Sequence, residues 1–266
     1  MPAARIDSEP YRGIPGVEAY RVHPRAPGLR VEVSDAAPVF SAAQREQTEL
    51  AWTRLCAGNP RLYSGPVLAV VSIDFERGVF HCRRDEFKRL AVQPEVRTGV
   101  HLLSVTGVLT ARDAAGRRHV LLGRRGRQTR VYPGMWELAP AGGVPPPHAS
   151  RGDLGEEDVV AQLLDEGEEE LGLRFERARV RPPCLIARDL IAHSDDVTLE
   201  IVHDEPGSME RLGEAMDATR GAHAWEYSQT LWVPLDTIRQ FDAAHADEII
   251  ITTRASFRGL GWIEDL

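Results

Sequence analysis

Residues 153–170 carry nine carboxylates and no Lys or Arg, and this segment restricts the possible folds of the chain more than any other. The acids are Asp153, Glu156, Glu157, Asp158, Asp165, Glu166, Glu168, Glu169 and Glu170. Val160, Leu164, Gly167 and Leu171 recur at i, i+4, i+7 and i+11, which is one face of an α-helix packed on a core. Gly172 stands where a left-handed cap would end that helix.

Glu166, Glu169 and Glu170 lie at i, i+3 and i+4 and so converge on one helical face. Each like-charge pair there costs a few tenths of a kcal/mol. Mg²⁺, Mn²⁺ and Ca²⁺ favour such oxygen-rich clusters. A cation held by these three glutamates would offset the repulsion, and a solvated acidic face is the alternative.

The rest of the chain reads as mixed α and β structure. Residues 1–39 suggest loops with one or two short strands around Leu29–Val33. Ser41 is a plausible N-cap for a helix to Ala57, stopped by Gly58-Asn59-Pro60. Val67–Phe75 and Val79–Arg83 suggest a hairpin, and Asp85–Leu90 a helical turn. Val100–Leu109 and His119–Gly123 flank a turn at Asp113–Gly116 and predict an antiparallel pair. Further strands are expected at Arg179–Asp189, Asp196–Asp204 and Tyr227–Val233, with helices at Leu235–Ala243 and Asp247–Phe257. Without strict βαβ alternation the class is α+β or a three-layer α/β/α sandwich. Two sections are expected: an N-terminal extension or subdomain, residues 1–98, β-rich and packed on the core, and a main domain, residues 99–266.

Composition narrows the function classes. The net charge of −8 argues against nucleic acid or an anionic membrane as partner. Cys56, Cys82 and Cys184 are scattered and odd in number, which reads as buried free thiols in a reducing compartment. The first residues lack the apolar core of a signal peptide, and no apolar run approaches the roughly 20 residues that span a bilayer. A cytoplasmic protein is expected. Phosphate-loop, H-E-x-x-H, G-x-S-x-G and dinucleotide G-x-G-x-x-G patterns are absent.

The acidic segment resembles the box of the Nudix hydrolase family, G-x₅-E-x₇-R-E-U-x-E-E-x-G-U with U aliphatic. Glu157 is followed after seven residues by Asp165-Glu166-Gly167-Glu168-Glu169-Glu170-Leu171-Gly172-Leu173, and Gly143 would be the opening glycine. Upstream, Val120–Arg125 leading to Tyr132-Pro133-Gly134-Met135-Trp136-Glu137-Leu138-Ala139-Pro140-Ala141-Gly142-Gly143-Val144 also resembles the family. Three departures stand out. Gly143 and Glu157 are 14 positions apart rather than six, Asp165 replaces the Arg that orients the family's glutamates, and Gly167 replaces an aliphatic residue and leaves a gap on the packed face.

The resemblance implies a Nudix fold with a mixed sheet, Mg²⁺ or Mn²⁺ on Glu166, Glu169 and Glu170, and a pyrophosphohydrolase acting on a small nucleoside diphosphate derivative. Glu157 would sit at the helix N-terminus, where the dipole favours it. Glu226 is the candidate distal acid, as a further ligand or general base. Arg124, Arg125, Arg127 and Arg130 could hold phosphates, together with the loop at Gly142 and Gly143. Tyr132, Trp136 and Trp225 could stack a base. Trp52, Asn59–Gly65 and Cys82–Lys88 resemble the leading region of family members that hydrolyse UDP-glucose and UDP-galactose, so a nucleotide sugar is the expected substrate, with ADP-ribose the nearest competitor. A homodimer is an open expectation. The rivals are a weakened nucleotide-binding or regulatory module, favoured by Asp165, and a structural Ca²⁺-stabilised protein.

Overall fold

The computed structural model describes residues 4–10, 13–24, 28–148, 152–223 and 226–263, with the side chains of 220–223 outside that description. In chain order the elements are β1 (Arg5–Ile6), β2 (Val17–His23), β3 (Arg30–Ser34), α1 (Ala42–Gly58), β4 (Pro66–Asp74), β5 (Val79–Glu86), α2 (Phe87–Ala91), β6 (Leu102–Arg112), β7 (Arg118–Arg125), β8 (Trp136–Leu138), β9 (Ala141–Gly143), β10 (Leu154–Gly155), α3 (Glu156–Leu171), β11 (Leu185–Asp189), β12 (Ser194–His203), α4 (Ser208–His223), β13 (Tyr227–Pro234), α5 (Ile238–Ala244) and α6 (Ile251–Gly259).

The long apolar strand β6 is the hub. It runs parallel to β12, from Leu102 opposite Ser194 to Ala111 opposite His203. On its other edge it meets β9 through Ser104–Thr106 and β7 through Thr110–Arg112, both antiparallel. β7 carries β13 and β8 in turn. β11 continues the sheet from β12 to β2. Beyond β6, Leu102 pairs with Ala69 of β4, which forms a hairpin with β5, and β3 and β10 follow. Strands from residues 1–98 therefore hydrogen-bond directly into the sheet built by the later residues.

Helices cover both faces, which gives the α/β/α arrangement expected. One core joins Leu103, Val105, Leu109, Val197 and Ile201 of the sheet to Val159, Val160 and Leu163 of α3 and Met216 of α4. A second joins Val108, Val120, Leu122, Trp136 and Leu138 to Ile238 before Phe241 on α5 and to Phe257 of α6. The alternation along β6 sends odd and even positions to opposite faces and so feeds both cores.

Local signals decided most elements. The Ser41 hydroxyl accepts from the Gln44 N–H at 3.1 Å and the Gln44 side chain accepts from the Ser41 N–H at 3.0 Å, a complete capping box for α1. α3 ends at Gly172 in the left-handed region (φ 67°). The periodicity of α3 needs correction, since its buried face is Val159, Val160, Leu163, Gly167, Glu170 and Leu171, and Leu164 lies at its edge. The gap expected at Gly167 is filled, because an added Cβ would lie 2.6 Å from Phe175 Cε2. α4 was not anticipated: its sequence is polar on most of its surface, and Met216 and Thr219 dock it on α3. The predicted strand at Arg179–Asp189 is shorter, with a 3₁₀ turn at Arg177–Arg179 ahead of β11. The three cysteines are free, Cys82 buried and Cys56 and Cys184 half-buried. Among the described residues no helix is long and apolar enough to cross a membrane.

Candidate active site

The C-terminal half of α3 lies over β9. The pairing of Gly142 with Val105, itself opposite Val197, puts Gly142 on the sheet face that α3 covers. Glu166 rests on that glycine: an added Cβ at Gly142 would sit 1.9 Å from Glu166 Oε1. Gln162, one turn earlier, donates its amide to the same Oε1 at 2.7 Å. Burial pushes the Glu166 carboxyl up to about 7; the Gln162 bond opposes this, and Glu169, Glu226 and Asp165 add to it.

Glu170 is buried. Its Oε2 accepts the Ala141 N–H at 2.8 Å and the Tyr227 hydroxyl at 3.0 Å. Burial first, then Glu226, Glu137 and Glu166, hold this carboxyl well above the usual range. Glu226, immediately before β13, hydrogen-bonds with Glu170, and burial raises it as well, against the pull of Arg125. Two carboxyls in hydrogen-bond contact share a proton most readily when one is neutral. Glu169 is exposed on the same helical face.

The floor of the cluster is a pair that the sequence did not single out. Glu137 of β8 is buried and takes Arg125 Nη1 on both oxygens at 2.6 and 2.7 Å. Tyr227 packs over Gly123, where an added Cβ would lie 2.5 Å from its ring. Burial, Glu170 and Glu137 keep its phenol protonated and therefore a donor. Helical spacing from Glu166 could have flagged Gln162. Nothing local marks Glu137 or Tyr227, since each reads as an ordinary strand residue.

The expected phosphate grips fall in different places. Arg125 is committed to Glu137 and also donates Nε to the Val131 carbonyl at 3.1 Å. Arg124 donates to the Gly134 carbonyl at 2.9 Å, pairs with Glu248 at 3.1 Å, and covers Trp136 at 5.5 Å. Both arginines thus shape the loop from 126 to 135. Arg130, on that loop, stacks its guanidinium 5.8 Å from the Phe87 ring centroid of α2, and Arg127 is exposed. Trp136 is buried against Phe241 and presents no free face for a base. Tyr132, in the left-handed region (φ 52°), donates to Asp189 at 2.8 Å and ties the loop to the end of β11. Gly143 is exposed on β9. Glu157 forms a two-pronged pair with Arg177 at 2.8 and 2.5 Å. Asp165 is exposed. Trp225 lies outside the described residues. The longer connection from Gly143 to Glu157 includes β10, which pairs with β3.

The donor chemistry fits a hard divalent cation. Every acid at the cluster offers oxygen only, and the Gly142 cradle admits a carboxylate where a side chain would collide. The ligand shell is not closed: among the described residues no three His, Cys, Asp or Glu groups converge closely enough to hold a metal. Gln162 bonds Glu166, and Ala141 and Tyr227 bond Glu170.

No family model matches the chain, and no curated protein matches it. Solved structures do share part of its chain path. A Nudix hydrolase from Alicyclobacillus acidocaldarius overlays at 16% identity, covering 59% of this chain and 90% of that one, with a TM-score of 0.42. A Deinococcus radiodurans protein overlays at 16% identity, covering 68% and 90%, with a TM-score of 0.40. A bifunctional NMN adenylyltransferase/ADP ribose pyrophosphatase from Francisella tularensis overlays at 11% identity, covering 65% and 45% or less, with a TM-score of 0.39.

Proposed function

We propose that this chain is a Nudix-type pyrophosphohydrolase, which splits a nucleoside diphosphate derivative into a nucleoside monophosphate and a phosphorylated product. The observation that carries the reading is the carboxylate cluster on α3, with Glu166 seated on Gly142 and Glu170 in hydrogen-bond contact with Glu226. Glu166, Glu169 and Glu170 would hold Mg²⁺ or Mn²⁺. When bound, the cation supplies charge neutralisation for the diphosphate oxygens.

The chain's own residues do the rest. Glu226 stands at the edge of the cluster with raised proton affinity and acts as general base. Water attacks one phosphorus as its proton passes to Glu226. The bond from that phosphorus to the bridging oxygen breaks, and the oxygen leaves with the other phosphate. Arg130 grips a phosphate from the loop that Arg124, Arg125 and Tyr132 brace. Asn59 donates to the Gln128 carbonyl at 3.4 Å, and Phe87 lies beneath Arg130, so the segment resembling UDP-sugar hydrolases borders this loop. That placement supports a nucleotide sugar as substrate, with ADP-ribose as the competitor.

A binding or regulatory module is the second reading, favoured by the exposed Asp165, which offers the glutamates no donor. Release of nucleoside monophosphate from UDP-sugars, GDP-sugars and ADP-ribose with Mg²⁺ or Mn²⁺ separates the two. Turnover that collapses in Glu169→Gln and Glu170→Gln is expected. Nucleotide binding without turnover on any substrate would install the module reading instead.

A further inference from the structure

We infer that Gln162 is the positioning residue that orients Glu166 toward the cation, an inference that rests on the metal-site reading proposed above. Among the described residues the bond given to Glu166 comes from Gln162, at 2.7 Å. The same oxygen lies against Gly142, whose Cβ position it nearly fills. One donor and one backbone wall thus leave Glu166 a single seat. Asp165, the adjacent position, is exposed and has only acceptors.

The spacing explains why this residue can do it. Residues four apart on a helix are surface neighbours, and a Gln side chain reaches a carboxylate at that separation. Gln162 is half-buried and neutral. It fixes the rotamer without cancelling charge, so the cluster keeps its full attraction for a divalent ion. A guanidinium in the same place would orient Glu166 but would also compete with the cation for it.

The test is Mn²⁺ binding to the full chain, followed by the electron paramagnetic resonance signal of free Mn²⁺ with no substrate present. Gln162→Met keeps the length and removes the donor. Its Kd is expected to rise on the order of tenfold, as for other residues that orient metal ligands, with an unchanged far-UV spectrum and melting profile. With turnover measured, the Mn²⁺ concentration for half-maximal rate should rise while kcat at saturating Mn²⁺ changes less. Equal Kd values for wild type and Gln162→Met overturn the role of Gln162 and leave the metal site standing. A wild-type chain that binds no Mn²⁺ overturns the metal site itself, and this role with it.

Discussion

Gly142 and Glu166 compete for one space, since a Cβ on the glycine would sit 1.9 Å from the glutamate Oε1. Gly142 needs no unusual backbone angle, so its small size serves the carboxylate alone. Gly142→Ala must therefore push Glu166 off its seat. Overpacking of this kind costs about 1–3 kcal/mol. We expect a loss of that size in urea denaturation and a larger proportional loss of metal-dependent nucleoside monophosphate release. Full activity with the Ala side chain in place would show that Glu166 works from another position.

Tyr227 gives Glu170 a hydroxyl donor in a fully buried setting. Tyr227→Phe removes that donor and leaves the Ala141 N–H on the same oxygen. The expected cost is about 1–3 kcal/mol, the range for leaving a buried polar group short of a partner. The donor favours the ionised carboxylate, so its loss raises the Glu170 proton affinity further. The acidic limb of the pH–rate profile should then move to higher pH. A profile superimposable on that of the wild type would separate Tyr227 from the reaction.

The raised carboxyls set a pH dependence of stability. Glu166 is pushed from about 4.5 up to about 7, chiefly by burial. Its folded value exceeds its unfolded one, so the stabilisation is complete below about 4.5 and is lost as pH rises through about 7. The full effect is about 3 kcal/mol for this group. Glu137 and Glu170 are raised mainly by burial and act in the same direction. In EDTA, urea midpoints should fall from pH 5 to pH 8, and Glu166→Gln should flatten the slope. Saturating Mg²⁺ should restore stability at pH 8 by mass action. A midpoint that rises with pH in EDTA would contradict this ordering.

Phe175 occupies the space that Gly167 leaves on the packed face of α3. Gly167→Leu alone collides with that ring and with the Leu173 carbonyl, and should destabilise by about 1–3 kcal/mol. Phe175→Ala opens a cavity and should cost about 3–5 kcal/mol. The double variant should be more stable than the sum of the two losses, because the leucine refills the vacated space. Strict additivity in thermal or urea melts would show that the residues do not share a site.

The sequence by itself determined the elements whose signals are local. Ser41 with Gln44 specified the start of α1, the acidic helix was legible from its period of 3.6, and Gly172 ended it. The placement of Glu166, Glu169 and Glu170 on one helical face followed from their spacing alone. Tertiary structure decided which partners those carboxylates meet. Glu137 and Tyr227 reach Glu170 only because β8 and β13 both pair with β7, and no spacing along the chain encodes that. The same holds for Arg124 and Arg125, whose charge marked them as phosphate grips until the fold set them against Glu248 and Glu137. It holds too for Gly167, whose missing side chain is supplied by Phe175. A helix carries its own periodicity in its sequence, whereas a site assembled across a sheet depends on register between distant segments, which only the packed fold fixes.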